Sequence, residues 1–100
     1  MLNLIKQGKH IIGCSGGFSW IKGSDLVIPL MIQILKKNNN VHFVWVGGDL
    51  TSNEYEELKI DIKNSLLSGH ILFTGSVDNP MHYFSMFDIF VLLSVWIISI

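Results

Sequence analysis

The sequence predicts a mixed α/β fold, a parallel sheet built in the order β-α-β-α-β-α-β. Three observations carry this. Four short runs, HIIGC (10–14), VHFVWV (41–46), HILFT (70–74) and IFVLL (89–93), are almost continuously apolar. Strands of that kind have both faces covered, as in parallel sheets. The segments between them carry apolar residues at helical spacing. Glycines close the first three runs, at Gly16-Gly17, Gly47-Gly48 and Gly75, where the chain must turn from strand to helix.

Each element has its own signal. The run 10–14 reads as a buried strand. Ser24 is a helix N-cap and Asp25 suits the positive end of the helix dipole. Leu26, Val27, Leu30, Met31, Ile34 and Leu35 then fall on one helical face, and Pro29, one turn in, is expected to kink the helix start. Lys36-Lys37-Asn38-Asn39-Asn40 is a turn. The second strand, 41–46, is β-branched and aromatic. Asn53 and Glu56 have the spacing of a capping box. Tyr55, Leu58, Ile62 and Leu66 form the apolar stripe that follows, and Gly69 is the expected helix stop. After the third strand, 70–74, Asp78 or Asn79 with Pro80 starts a short helix over 81–87. Asp88 leads into the last strand, 89–93. The alternation makes the architecture Rossmann-like, with right-handed crossovers and helices on both faces.

The chain has 100 residues, one domain or less, with 49% hydrophobic and 15% charged residues. That composition excludes a disordered chain. Seven lysines, no arginine and a net charge of −1 exclude a basic nucleic-acid-binding surface. The single Cys14 cannot form an internal disulfide, and the N-terminal residues lack a signal-peptide core, so a cytoplasmic setting is expected. The apolar run 89–100 is 12 residues long. A membrane helix needs about 20, so a buried strand with its continuation is expected instead of a span.

In open α/β sheets ligands bind outside the carboxyl ends of the strands. Five of the nine glycines sit just there. Ordinary βα turns also need glycine, but three such turns on one edge mark a candidate ligand edge. Lys22, in the loop after the first strand, is either a phosphate partner beside a helix N-terminus or a solvated surface lysine. Neither GxxxxGK[ST] nor GxGxxG is present, which disfavours a P-loop and a nicotinamide cofactor. His10, His42 and His70 fall at the strand starts, the opposite edge, and no metal site is expected from them. Cys14 reads as an inert core thiol and Trp45 as core.

Four segments in order then carry a family likeness: GGFSWIKGSDL (16–26), VHFVWVGGD (41–49), HILFTGSV (70–77) and YFSMFDIFVLLS (83–94). With these the chain resembles the C-terminal, donor-binding domain of the family 1 glycosyltransferases of the GT-B fold. The likeness covers about residues 10–94. It implies a nucleotide-sugar donor as ligand and, by family habit, retaining transfer without a metal or other cofactor. By this resemblance Lys22 contacts the donor diphosphate, and Gly16 and Gly17 let the donor approach. Gly75, Ser76 and Val77 lie beside the nucleobase, and Ser94 opens the sugar-binding segment.

The chain departs from the family pattern in two ways. Where the family often has arginine, at the glycine turn or just before the lysine, this chain has Gly17 and Ile21. The acidic segment that usually follows the serine is replaced by Val95-Trp96-Ile97-Ile98-Ser99-Ile100. The expectation is therefore a single partial Rossmann-like domain over 1–100, whose acceptor-binding domain, or a partner chain in its place, lies elsewhere, and which alone does not complete transfer. The alternatives are a non-catalytic interaction module or truncated remnant that uses the apolar segment 89–100, and a fragment of another Rossmann-like nucleotide binder such as a sugar epimerase.

Overall fold

The computed structural model describes residues 8–18 and 26–91. They form strands β1 (His10–Ser15), β2 (Val41–Val46), β3 (Ile71–Gly75) and β4 (Ile89–Phe90), and helices α1 (Val27–Leu35), α2 (Asn53–Asn64) and α3 (Pro80–Phe84). The sheet is all parallel with strand order β3-β2-β1-β4. The chain steps outward from β1 through β2 to β3, then returns to the far side of β1. Right-handed crossovers in opposite directions put the connecting helices on opposite faces, and the two cores follow. α1 and α2 cover one face, where Ile12, Cys14, Phe43 and Trp45 meet Val27, Met31, Leu58 and Ile62. α3 covers the other, where Ile11, Val44 and Val46 meet Val77, Tyr83, Phe84 and Phe87. Alternate residues of β1 and β2 feed the two cores, so the buried stretches of both strands, 11–14 and 43–46, are apolar on both faces.

The element ends differ from expectation in informative ways. Ser24 and Asp25 lie outside the described residues. α1 begins at Val27 with Leu26 at its N-cap position and no side-chain cap. Pro29 therefore falls in the first turn, whose N–H groups lack intrahelical partners, and proline is tolerated there. The cap of α2 is Ser52, not Asn53. Ser52 is extended (φ −76°, ψ 157°) and its Oγ accepts the Tyr55 N–H at 3.1 Å. α2 also stops before Gly69. Leu66 takes the left-handed conformation (φ 61°). The Leu67 N–H donates to Ile62 O at 3.0 Å and the Leu66 N–H to Lys63 O at 3.1 Å, the two bonds of a Schellman end. Leu67 is thereby buried against Ile62, while Leu66, expected in the buried stripe, is 88% exposed. A left-handed non-glycine residue is strained by roughly 1–2 kcal/mol. Leu66→Gly is thus expected to raise stability by about 1 kcal/mol. An unchanged or lower urea midpoint would contradict this.

β3 begins one residue later than expected and β1 and β3 each end one residue later. α3 is shorter than expected, with a turn over 85–86. β4 covers Ile89 and Phe90. The expected strand reaches further, but Val91 is not part of it although its N–H donates to Gly13 O at 2.8 Å, and Leu92 and Leu93 lie outside the described residues. The start of β4 is set by Asp88, whose Oδ2 accepts the Ile11 N–H at 2.7 Å and whose own N–H donates to Ile11 O at 2.7 Å. Among the described residues no helix is long and apolar enough to cross a membrane.

At the strand starts, the rings of His42 and His70 lie 5.2 Å apart. Burial, and then the nearby charges of His70 and Lys9, hold His42 below the ordinary imidazole value of 6.5. The unfolded chain therefore takes up this proton at a higher pH than the folded one. Stability should be full above about pH 6.5 and fall as pH drops through the folded value. A lower melting temperature at pH 5.5 than at pH 7.5, with a smaller difference in His42→Gln, is the expected result. Equal pH slopes in the two proteins would count against it.

Candidate functional site

The carboxyl ends of β1, β2 and β3 form one continuous row of glycines. Gly16 follows β1 with φ 131°, Gly47 and Gly48 follow β2 with φ 100° and 86°, and Gly75 ends β3 with φ 72°. These angles lie in the region that side-chain-bearing residues avoid. The row is stitched by backbone bonds: Gly16 N–H to Val46 O at 3.1 Å and Gly47 N–H to Gly75 O at 2.9 Å. It also has little spare room, since a Cβ on Gly47 would approach Gly16 O to 3.3 Å and one on Gly75 would meet Leu50 at 3.1 Å. A bulge in the β2–β3 pairing, between Trp45 and Val46, precedes this edge. Bulges are frequent beside functional sites because they re-aim the chain. Here Thr74 Oγ1 accepts the Gly47 N–H at 3.2 Å and donates to Gly75 O at 2.8 Å.

An aromatic floor lies beneath the row. Phe18 is buried, with its ring 5.4 Å from Trp45, 5.2 Å from Tyr55 and 5.6 Å from Phe73. A Cβ on Gly48 would overlap the Phe18 ring, so Gly48 is what admits this plug. Gly17 is the exception in the row: a Cβ there would meet nothing within 4 Å. Gly17 opens onto a cleft of about 180 Å³ that it lines with Phe18, Asp49, Ser52 and Glu54. Asp49 is held below the usual carboxylate range by hydrogen bonds from the Thr51 hydroxyl and the Thr51 N–H. The cleft's side chains thus carry negative charge.

Of the residues singled out from the sequence, Gly16, Gly17, Gly75, Ser76 and Val77 come together at this edge. Ser76 is exposed and Val77 is half-buried against the α3 face. Lys22 and Ser94 lie outside the described residues. The strand order puts the reversal of direction between β1 and β4, and such a switch point opens a crevice at the strand carboxyl ends. In sequence, Lys22 comes after β1 and Ser94 after β4. The three strand-start histidines lie at the opposite edge. Among the described residues no group of three or more His, Cys, Asp or Glu could hold a metal ion. Burial pushes the Cys14 thiol up to about 12, so it stays protonated. The sequence reading missed Phe18 as an anchor and the tie from Trp45 to the turn. The available signal for the latter was a tryptophan inside an apolar strand, since a buried indole N–H needs an acceptor.

The family described as "Glycosyl transferases group 1" matches residues 3–96. Over 87 residues the chain is 31% identical to the lipopolysaccharide core biosynthesis mannosyltransferase LpcC of Rhizobium leguminosarum bv. viciae, covering 84% of this chain and 24% of that protein. The chain thus spans about a quarter of the length of that relative. The solved C-terminal domain of a group 1 family glycosyl transferase (LpcC) from Francisella tularensis is 24% identical with a TM-score of 0.74, covering 93% of this chain and 52% of that one. Anabaena HepE, solved in complex with UDP and glucose, is 19% identical with a TM-score of 0.74, covering 93% of this chain and 26% of that one. At these identities the structural likeness is one of fold: the sheet and helices are those of a GT-B Rossmann-like domain.

Proposed function

This chain belongs to the group 1 glycosyl transferases, and from that membership we propose that its strand-end edge binds the nucleotide part of a nucleotide-sugar donor. The observation that carries the reading is the row of Gly16, Gly47 and Gly75 at the carboxyl ends of three parallel strands, with Gly17 open in front of it. A diphosphate and sugar need close backbone approach and N–H donors at such an edge. The UDP in the Anabaena relative supports the same ligand class.

In this reading Lys22 contacts the diphosphate, Gly75 to Val77 flank the base, and Ser94 opens the sugar-binding segment. Glycosyl transfer leaves a nucleoside diphosphate whose growing negative charge must be met. Backbone N–H groups and Lys22 do that here, with no step routed through a metal. Acceptor binding belongs to a facing domain or partner chain, so the chain supplies the donor half of the reaction. Calorimetry with UDP, GDP and ADP tests the reading. Binding of one of them is expected, and Lys22→Ala should weaken it by about 1–3 kcal/mol, the range for a charge-assisted hydrogen bond. Absence of heat with all three would sink it.

A second reading, an interaction module, is favoured by one feature. Ile89 and Phe90 on the edge strand β4 are 54% and 45% exposed. Sedimentation at several concentrations separates the readings, because a concentration-independent monomer would count against self-association.

A further inference from the structure

Trp45 is 1% exposed and sits among Phe18, Phe43 and Phe73, with centroids 5.4, 6.4 and 6.2 Å away. An indole N–H carried into such surroundings must find an acceptor. It donates to the backbone carbonyl of Gly16 at 2.9 Å. That carbonyl shares a peptide unit with the N–H of Gly17. In a planar trans peptide the C=O and N–H point in opposite directions. With the carbonyl drawn down to the indole, the Gly17 N–H is turned away from the core. Among the described residues nothing accepts from that N–H, and the space at the Cβ position of Gly17 is open. A peptide between two glycines is otherwise among the easiest to flip, because neither residue has a Cβ to restrict it.

We infer that Trp45 is a positioning residue: its indole N–H locks the Gly16–Gly17 peptide so that the Gly17 N–H is presented as a donor to a phosphate oxygen of a nucleoside diphosphate. This rests on the donor-binding reading above and names a group that would carry it. The lock matters because the neighbouring side chains Asp49 and Glu54 oppose an anion. A flipped peptide would add a carbonyl oxygen to them. Phe18 holds the other side of the turn, since its ring fills the space beside Gly48.

The test replaces Trp45 with its benzothienyl analogue, which keeps the ring shape and puts sulfur where the N–H was, and follows amide signals of the 100-residue chain by NMR. In the unmodified protein the Trp45 indole proton should exchange slowly with solvent, and the Gly17 amide should shift as UDP is added. In the analogue the Gly16 and Gly17 signals should broaden or double. UDP binding should weaken about five- to tenfold, the loss expected for one hydrogen bond. Amides of Ile11 to Cys14 should stay in place. Trp45→Phe should repeat the trend at a lower melting temperature. An analogue with sharp, unshifted Gly16 and Gly17 signals would overturn the lock, whatever its affinity. Broadened signals with wild-type affinity would overturn the positioning role. If UDP, GDP and ADP move no signal of the unmodified protein, the donor reading falls. The lock then stands or falls on the broadening of Gly16 and Gly17 alone.

Discussion

Gly13→Ala is expected to destabilise the fold by about 1–3 kcal/mol, the range for forcing an extra methyl into a packed core. Gly13 is buried in the middle of β1, and a Cβ there would overlap the ring of Phe87. That ring cannot simply swing aside, because it packs against Phe84 and Phe90 with centroids 5.8 Å away in each case. The strain would fall where β4 joins β1, a junction made by two residue pairs, Ile12 with Ile89 and Gly13 with Phe90. For a chain of this size, 1 kcal/mol corresponds to roughly 4–8 °C in melting temperature. Combining Gly13→Ala with Phe87→Leu should cost less than the sum of the single changes, because the smaller side chain relieves the overlap. Additive losses in a thermal double-mutant cycle would show that the ring is not what the methyl meets.

Gly17→Arg should work in the opposite direction, tightening nucleoside diphosphate binding by about five- to tenfold. That is about 1–1.4 kcal/mol, somewhat less than a hydrogen bond to a charged group usually gives, because the contact is screened by solvent. The resemblance places an arginine at the glycine turn, and here the position holds glycine with open space in front of it. Gly17 is not among the residues held at positive φ, so a side chain can be added without backbone strain. Arginine also offers a planar fork that matches a phosphate. The gain should shrink as salt is raised, as expected for a screened contact. Calorimetry at two salt concentrations reads both effects. Unchanged or weaker binding would mean that the diphosphate does not pass in front of Gly17.

The architecture was legible because its signals are local. β2 spans 41–46 as its apolar run does, and the glycine turns lie at the strand ends as expected. The positions of the helix ends were less legible. Ser52 and Asn53 are both good caps, and the capping-box spacing pointed to Asn53. The backbone leaves the helix at Ser52, and that decides which side chain reaches the Tyr55 N–H. Gly69 was the obvious stop for α2, yet the chain turns at Leu66. Burying Leu67 against Ile62 outweighs the strain of a left-handed leucine. At the ligand edge, the glycines could be found by their place after the strands. Phe18 and the tie from Trp45 to Gly16 could not, because each joins residues distant in sequence: 29 positions separate Trp45 from Gly16.

The sequence by itself determined the alternation of strands and helices, the edge on which the glycines gather, and the family. These follow from hydrophobic period, turn chemistry and ordered motifs, all of which act over a few residues. Only the tertiary structure decided the strand order β3-β2-β1-β4, which helix lies on which face, and the direction of the Gly16–Gly17 peptide. Those depend on which distant groups must be satisfied together once water is excluded. A buried indole N–H needs an acceptor, an aromatic plug needs a glycine beside it, and Asp88 must complete the ladder of β1 before β4 can begin.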